Sequence, residues 1–345
     1  MRKPALQSPK TIRLALVVVL LIFQNSLLAQ ENVGALEKMR QQAAALSPLI
    51  KSAFGQSLLK AVDDLPAISG SRIVWYNRET RDAISETEAK SRHADALKGY
   101  ERKEYDEQFY YFTKYGTPLA SVHAFDLVGQ AGFELNAGAR VLDFGYGSIG
   151  QLRLLASLGA DVTGVEVDPL LKVLYSGDED TGIISRASSA GKGAAGKLRL
   201  LFGFFPKEQK IVDEAGDGYD LFISKNTLKR GYIHPAREVD PRRLVHLGVD
   251  DETFVKTVYR MLNSGGFFMI YNLHPAESKP DEPYKPWADG RSPFERDLYQ
   301  KVGFSVLAFD ENDTEFAHKM ARAFGWDKLM NLENDLFGTY TLLRK

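Results

Sequence analysis

"VLDFGYGSIG", Val141 to Gly150, decides how this chain is read. An apolar run ends in an acid, and glycines follow at positions 145, 147 and 150 in the pattern Gly-x-Gly-x-x-Gly. The next stretch, "SIGQLRLLASLG", repeats its apolar residues at helical spacing. Together these predict a strand, a tight turn and a helix N-terminus. Such a turn lets a ligand approach the backbone closely, because glycine carries no Cβ and the free N–H groups at a helix start favour negative charge. Gly150 has two open uses: contact with a phosphate, or close packing of the helix.

The following strand, "DVTGVEV", supplies a second acid. Glu166 falls about 20 residues after the glycines, where a carboxylate accepts hydrogen bonds from ribose hydroxyls. That position suits NAD and other nucleoside cofactors alike. Asp143 separates them, since a carboxylate at the end of the first strand repels a pyrophosphate and attracts an ammonium or sulfonium group. A ligand with a zwitterionic amino-acid moiety fits it better.

From Ala139 onward, short apolar runs alternate with helical patterns. The runs are "ARVLDF", "DVTGVEV", "LRLLFGF", "YDLFIS" and "GGFFMIYNL", with two more, "FSVLAFD" and "FGTYTLLRK", after the fifth. This predicts an α/β fold: a Rossmann-like doubly wound sheet, mostly parallel, with an antiparallel closing strand. The tail of one helix and two strands differs from the two βαβαβ halves of a dinucleotide fold. Residues 30–109 read as a mainly helical N-terminal region, with Leu36, Met39, Ala43 and Leu46 on one helical face and a charged helical stretch after Trp75. The α/β domain is assigned to residues 110–345. "HPAESKPDEPYKPWADGRSPF", from His274 to Phe294, is a Pro-rich loop of the kind that binds substrates or forms lids.

Composition excludes several classes. The chain has 345 residues, a formal charge of −1 and no cysteine. Disulfides, thiolate nucleophiles and cysteine-based zinc sites are out, and there is no global basic footprint for nucleic acid. His93, His123, His246 and His318 lack metal-ligand spacing, so no metal is expected. Residues 1–29 are compositionally foreign: a basic start (Arg2, Lys3, Lys10, Arg13), an apolar run from Leu14 to Phe23, and a small residue, Ala29. These mark a signal peptide, or an uncleaved membrane anchor, and place the body outside the cytoplasm as a periplasmic or secreted protein.

"VLDFGYGSIG", "GVEVDP", "YDLFISKNTL" and "LNSGGFFMIY" together resemble the class I S-adenosylmethionine-dependent methyltransferases, over roughly residues 110–345. The resemblance implies S-adenosyl-L-methionine as cofactor. It gives Asp143, Gly145 and Gly147 the methionine part, Glu166 the ribose, and Ser224, Lys225 and Asn226 the wall beside the methyl group. Tyr115 and Gly116 would close over the cofactor's carboxylate. Departures are Ile149, where the family commonly has glycine, and "LLFGFFPKE", which lacks the acid that often binds the adenine amino group. Phe204 or Phe205 is available to stack on adenine or to pack the core. "SKNTL" lacks the Asn-Pro-Pro-aromatic signature of base and amide methylation, which points to a small-molecule or other non-nucleic acceptor.

The implied reaction is an in-line displacement on a sulfonium methyl, driven by alignment of the reactants. His234 and His274, each on a loop after a strand, are candidate general bases. Lys229, Arg230, Arg237, Arg242 and Arg243 form a basic neighbourhood suited to an anionic acceptor or to a solvated face. The rival readings are an exported, non-catalytic binding protein on the same fold and an NAD-dependent oxidoreductase.

Overall fold

Strands buried on both faces read as unbroken apolar runs, and the centre of this chain has two of them. The computed structural model describes residues 33–191 and 193–345; the export signal expected at residues 1–29 lies outside the described residues. The central strands are β4 (Arg140–Phe144) and β8 (Tyr219–Lys225), paired in parallel with Val141 opposite Leu221 and Asp143 opposite Ile223. On one side of β4 lie β5 (Asp161–Glu166) and β7 (Gly196–Phe202), both parallel, and then the short antiparallel β6 (Gly182–Ile184). Beyond β8 come β9 (Leu262–His274), β11 (Phe337–Arg344) and β10 (Ser305–Asn312). The last strand is antiparallel, as expected. It does not close an edge but slots between β9 and β10, pairing with both.

The chain winds outward from β4 in one direction and then from β8 in the other. That reversal creates a crevice at the carboxyl ends of β4 and β8, the place where open α/β sheets bind ligands. Helices cover both faces. Val141, Leu221, Ile223 and Met269 pack with Phe125, Ile149, Leu152 and the N-terminal helices. Leu142, Phe144, Phe222 and Phe268 pack on the other face with Phe254, Val258 and Phe304.

The N-terminal region is helical at Ala35–Leu46 and Ala53–Lys60, but it also holds an antiparallel sheet that the sequence pattern did not predict. Its strands are β1 (Arg72–Asn77), β2 (Asp82–Ser85) and β3 (Tyr100–Tyr105), with β1 in the middle. The expected charged helix shrinks to Glu86–Ser91. Strand β3, "YERKEY", has no buried residue and so carries no apolar alternation to read. Its place is fixed by pairing, Trp75 against Arg102 and Tyr76 against Glu101.

Buried polar groups tie this region to the large sheet. Asp126, fully buried, accepts from the backbone N–H of Ser52 (2.6 Å) and Lys51 (2.9 Å), and from Gln130 Nε2 (2.8 Å). The helices Ala53–Lys60 and Val122–Gln130 cross closely there: a Cβ at Gly129 would collide with Ser52. His123 stands between Asp126 (3.4 Å) and Asp313 (3.3 Å), and Tyr271 on β9 donates to the same Asp313 at 2.8 Å.

Burial alone would lower the His123 pKa, but the two carboxylates beside it more than reverse this and raise it above the ordinary value. The folded protein therefore holds a proton that the unfolded chain releases. The stability this gives is complete below the unfolded value, about 6.5, and is lost as pH rises through the higher folded value. Urea unfolding of the wild type is expected to weaken over that range, and His123→Gln is expected to remove this component of the slope. An identical pH profile in both proteins would contradict the assignment.

Candidate functional site

The turn after β4 is shaped by contacts that leave no room for side chains. Gly145 and Gly147 have positive φ, +69° and +64°. A Cβ at Gly145 would collide with the Thr227 side chain, and one at Gly147 would come within 3.1 Å of the Tyr115 ring. Gly150 settles on packing, since its Cβ would meet Pro118 and Tyr111. Ile149, the departure from the family pattern, is fully buried at the start of the helix Ile149–Ser157.

Glu166 closes this turn from the end of β5. Its Oε2 accepts from Gly147 N–H at 3.3 Å, and its Oε1 accepts from Val167 (2.8 Å) and Asp168 (3.3 Å). Burial pushes its carboxyl up in pKa, and the backbone donors work against that shift. The carboxylate thus braces the loop, and the residue as a whole is 9% exposed.

A strap from residues 113–115 crosses the same loop. Thr113 Oγ1 donates to Gly147 O at 3.0 Å, and Lys114 Nζ reaches Asp168 Oδ2 at 2.5 Å. The Tyr115 ring lies against Gly147, and Gly116, with φ +83°, turns the chain away with open space around it. The strap brings Tyr115 to the glycine loop, while Gly116 stands clear of it, and Thr113, Lys114 and Asp168 were not predicted. Their sequence carries no periodic signal.

Three large apolar side chains stand in solvent around this turn: Tyr115 (56% exposed), Val167 (44%) and Phe204 (48%). Val167 follows β5 and Phe204 follows β7, strands that run side by side with Glu166 opposite Phe202. The choice between the two phenylalanines is thereby made. Phe205 is buried with Phe144, Phe222 and Phe254, so only Phe204 has a face to offer.

The residues after β8 are engaged differently. Asp143 is fully buried and pairs with Lys225, itself 7% exposed. Burial pushes the Asp143 carboxyl up and the Lys225 ammonium down, and each partner's charge opposes the other's shift. Ser224, also fully buried, accepts from Leu228 N–H at 3.3 Å. Asn226, at φ +60°, accepts from Leu273 N–H at 2.8 Å and shapes the turn that follows β8. Of the three side chains, Lys225 bonds Asp143, and Thr227, not singled out from sequence, packs on Gly145.

The candidate bases part company. His274 does not face a site: its ring nitrogens meet Pro275 O and Thr339 Oγ1, both at 3.0 Å, and its ring stacks on Phe337. Burial lowers its pKa. His234 keeps an exposed ring, held by Asp251 through Nε2 at 2.9 and 3.1 Å, on the wall of a cavity of about 930 Å³ shared with Val245, His246 and Leu298. Most of the basic neighbourhood is bonded within the chain. Arg237 donates to four carbonyls of the Pro-rich loop, from Ser278, Lys279, Pro280 and Glu282, and Arg242 pairs with Asp240. Lys229 is buried, donates to Leu273 O (2.6 Å) and Trp287 O (3.3 Å), and is pushed down to about 7 by desolvation.

No family model and no curated protein matches this sequence. Solved structures do resemble it. One is an S-adenosylmethionine-dependent methyltransferase from Mesorhizobium loti, 17% identical over 64% of this chain and 98% of that one, TM-score 0.35. Another is phosphoethanolamine N-methyltransferase 2 of Haemonchus contortus, solved with phosphomonomethylethanolamine and S-adenosylhomocysteine, 16% identical over 71% and 62%, TM-score 0.39. A third is the [4+2]-cyclase SpnF, 14% identical over 90% and 96%, TM-score 0.37. With a parallel sheet reversing at β4 and β8, an antiparallel strand inserted beside its last parallel member, and a strand, glycine turn and helix at the crevice, this chain has a Rossmann-like doubly wound α/β fold.

Proposed function

We propose that the crevice at the ends of β4, β5 and β7 binds an adenosine-type cofactor, S-adenosyl-L-methionine, and that the protein transfers its methyl group to a small-molecule or other non-nucleic acceptor. The observation that carries this reading is the exposed apolar trio Tyr115, Val167 and Phe204 around a carboxylate-braced glycine turn. Exposed aromatic faces offer stacking area for a planar base, and the edge of Glu166 offers acceptor lone pairs to ribose hydroxyls. When bound, the cofactor would supply an electrophilic methyl for in-line displacement. The chain's own part is to hold the nucleoside against Gly147 and keep the strap at residues 113–115 over it. His234, oriented by Asp251, is the proton acceptor in this reading, and the Pro-rich loop after β9 recognises the acceptor.

A second reading, an exported binding protein that retains the fold without turnover, draws on a specific observation: Asp143 is already paired with Lys225. The signal read at residues 1–29 accords with it.

Isothermal titration with S-adenosylmethionine, S-adenosylhomocysteine and NAD separates these possibilities. Both sulfur compounds are expected to bind and NAD is not. Glu166→Ala, checked for folding by circular dichroism, is expected to weaken binding by about 1–3 kcal/mol, the worth of a hydrogen bond to a charged group. Unchanged affinity in a folded variant would contradict the ribose role, and binding of NAD alone would contradict the proposal. Binding without turnover on any acceptor in a substrate screen would favour the second reading.

A further inference from the structure

The crevice has two unlike halves. On the β5 and β7 side it is open, rimmed by Tyr115, Val167 and Phe204. On the β4 and β8 side the chain fills its own space: Asp143 and Ser224 have no exposure, and the Thr227 side chain occupies the position a Cβ on Gly145 would take. Lys225 Nζ donates to Asp143 Oδ2 beneath this contact and lies 5.9 Å from the Phe125 ring centre. The other carboxylate oxygen, Oδ1, has no hydrogen-bond partner among the described residues.

Asp143 is the group suited to a ligand's ammonium, and here an ammonium from the chain is already in place. A second one would leave net positive charge in a desolvated spot, with one carboxylate to balance two cations. We infer that Lys225 replaces the ligand's ammonium at Asp143, so that the site selects an adenine nucleoside by its base and ribose and gains nothing from an amino-acid tail. This rests on the nucleoside-site reading proposed above, and it makes Lys225 the residue that sets specificity at the tail. A 5′-thioether nucleoside without the α-amino acid is then as good a ligand as one that carries it.

S-adenosylhomocysteine and 5′-methylthioadenosine share the nucleoside and the thioether and differ in the tail, so their relative affinity for the whole protein is the readout. In the wild type the two dissociation constants are expected to agree within about threefold. Lys225→Met frees Asp143 for the ligand and is expected to favour S-adenosylhomocysteine by about tenfold or more, as a close charge pair commonly contributes at a binding interface. Because that variant strands a buried carboxylate and risks unfolding, Asp143→Asn/Lys225→Met, neutral at both positions, is measured beside it and is expected to bind both ligands equally. A wild-type preference of about tenfold or more for S-adenosylhomocysteine would overturn the inference, since the tail would then be recognised despite Lys225. Failure of the wild type to bind either compound is a different result: it removes the nucleoside site itself, and the inference with it.

Discussion

Asp143 and Lys225 meet where the sheet reverses direction, and the organisation of the crevice depends on that contact. The residues end adjacent parallel strands, β4 and β8, and both are buried. Taking either charge out of water alone costs several kcal/mol, so each is tolerable there only because the other is present. The pair draws the start of the "SKNTL" segment over the end of β4. Thr227 then lands on Gly145, which explains why that position cannot carry a side chain.

The same turn is held from its other side by neutral donors and a strap. Glu166 takes the N–H groups of Gly147, Val167 and Asp168, while Thr113 binds Gly147 O and Lys114 binds Asp168. The glycine loop is therefore braced before any ligand arrives. What remains open is the region flanked by β5 and β7, where apolar side chains face solvent. A preformed loop with one open and one filled flank reduces the ordering cost of binding a rigid nucleoside, and it restricts what can extend from it.

The sheet was legible because its inner strands are apolar on both faces, so each run stands out without alternation. The glycine turn and Glu166 were legible because their spacing is local. Other features were not. Strand β3 is polar on every residue that shows, β6 has only three residues, and both exist through pairing with a neighbour. Asp143 was read as the partner of a ligand's ammonium, but its partner in the structure is Lys225, 82 residues away in the chain and fixed only by the register of β4 against β8. Asn226 and His274 looked available because loop residues after strands often are. Their roles, a left-handed turn closed on Leu273 and a ring held by Pro275, Thr339 and Phe337, come from the pairing of β9 with β8 on one side and β11 on the other.

A double-mutant cycle on stability tests most directly whether Lys225 is the counter-charge of Asp143. Urea unfolding would be measured for the wild type, Asp143→Asn, Lys225→Met and the double variant. If the pair is the buried contact described, each single change costs about 3–5 kcal/mol and the double change little more than one of them. The interaction energy is then nearly the cost of one single change, about 3 kcal/mol or more in magnitude. Additive losses, with an interaction energy near zero, would contradict it.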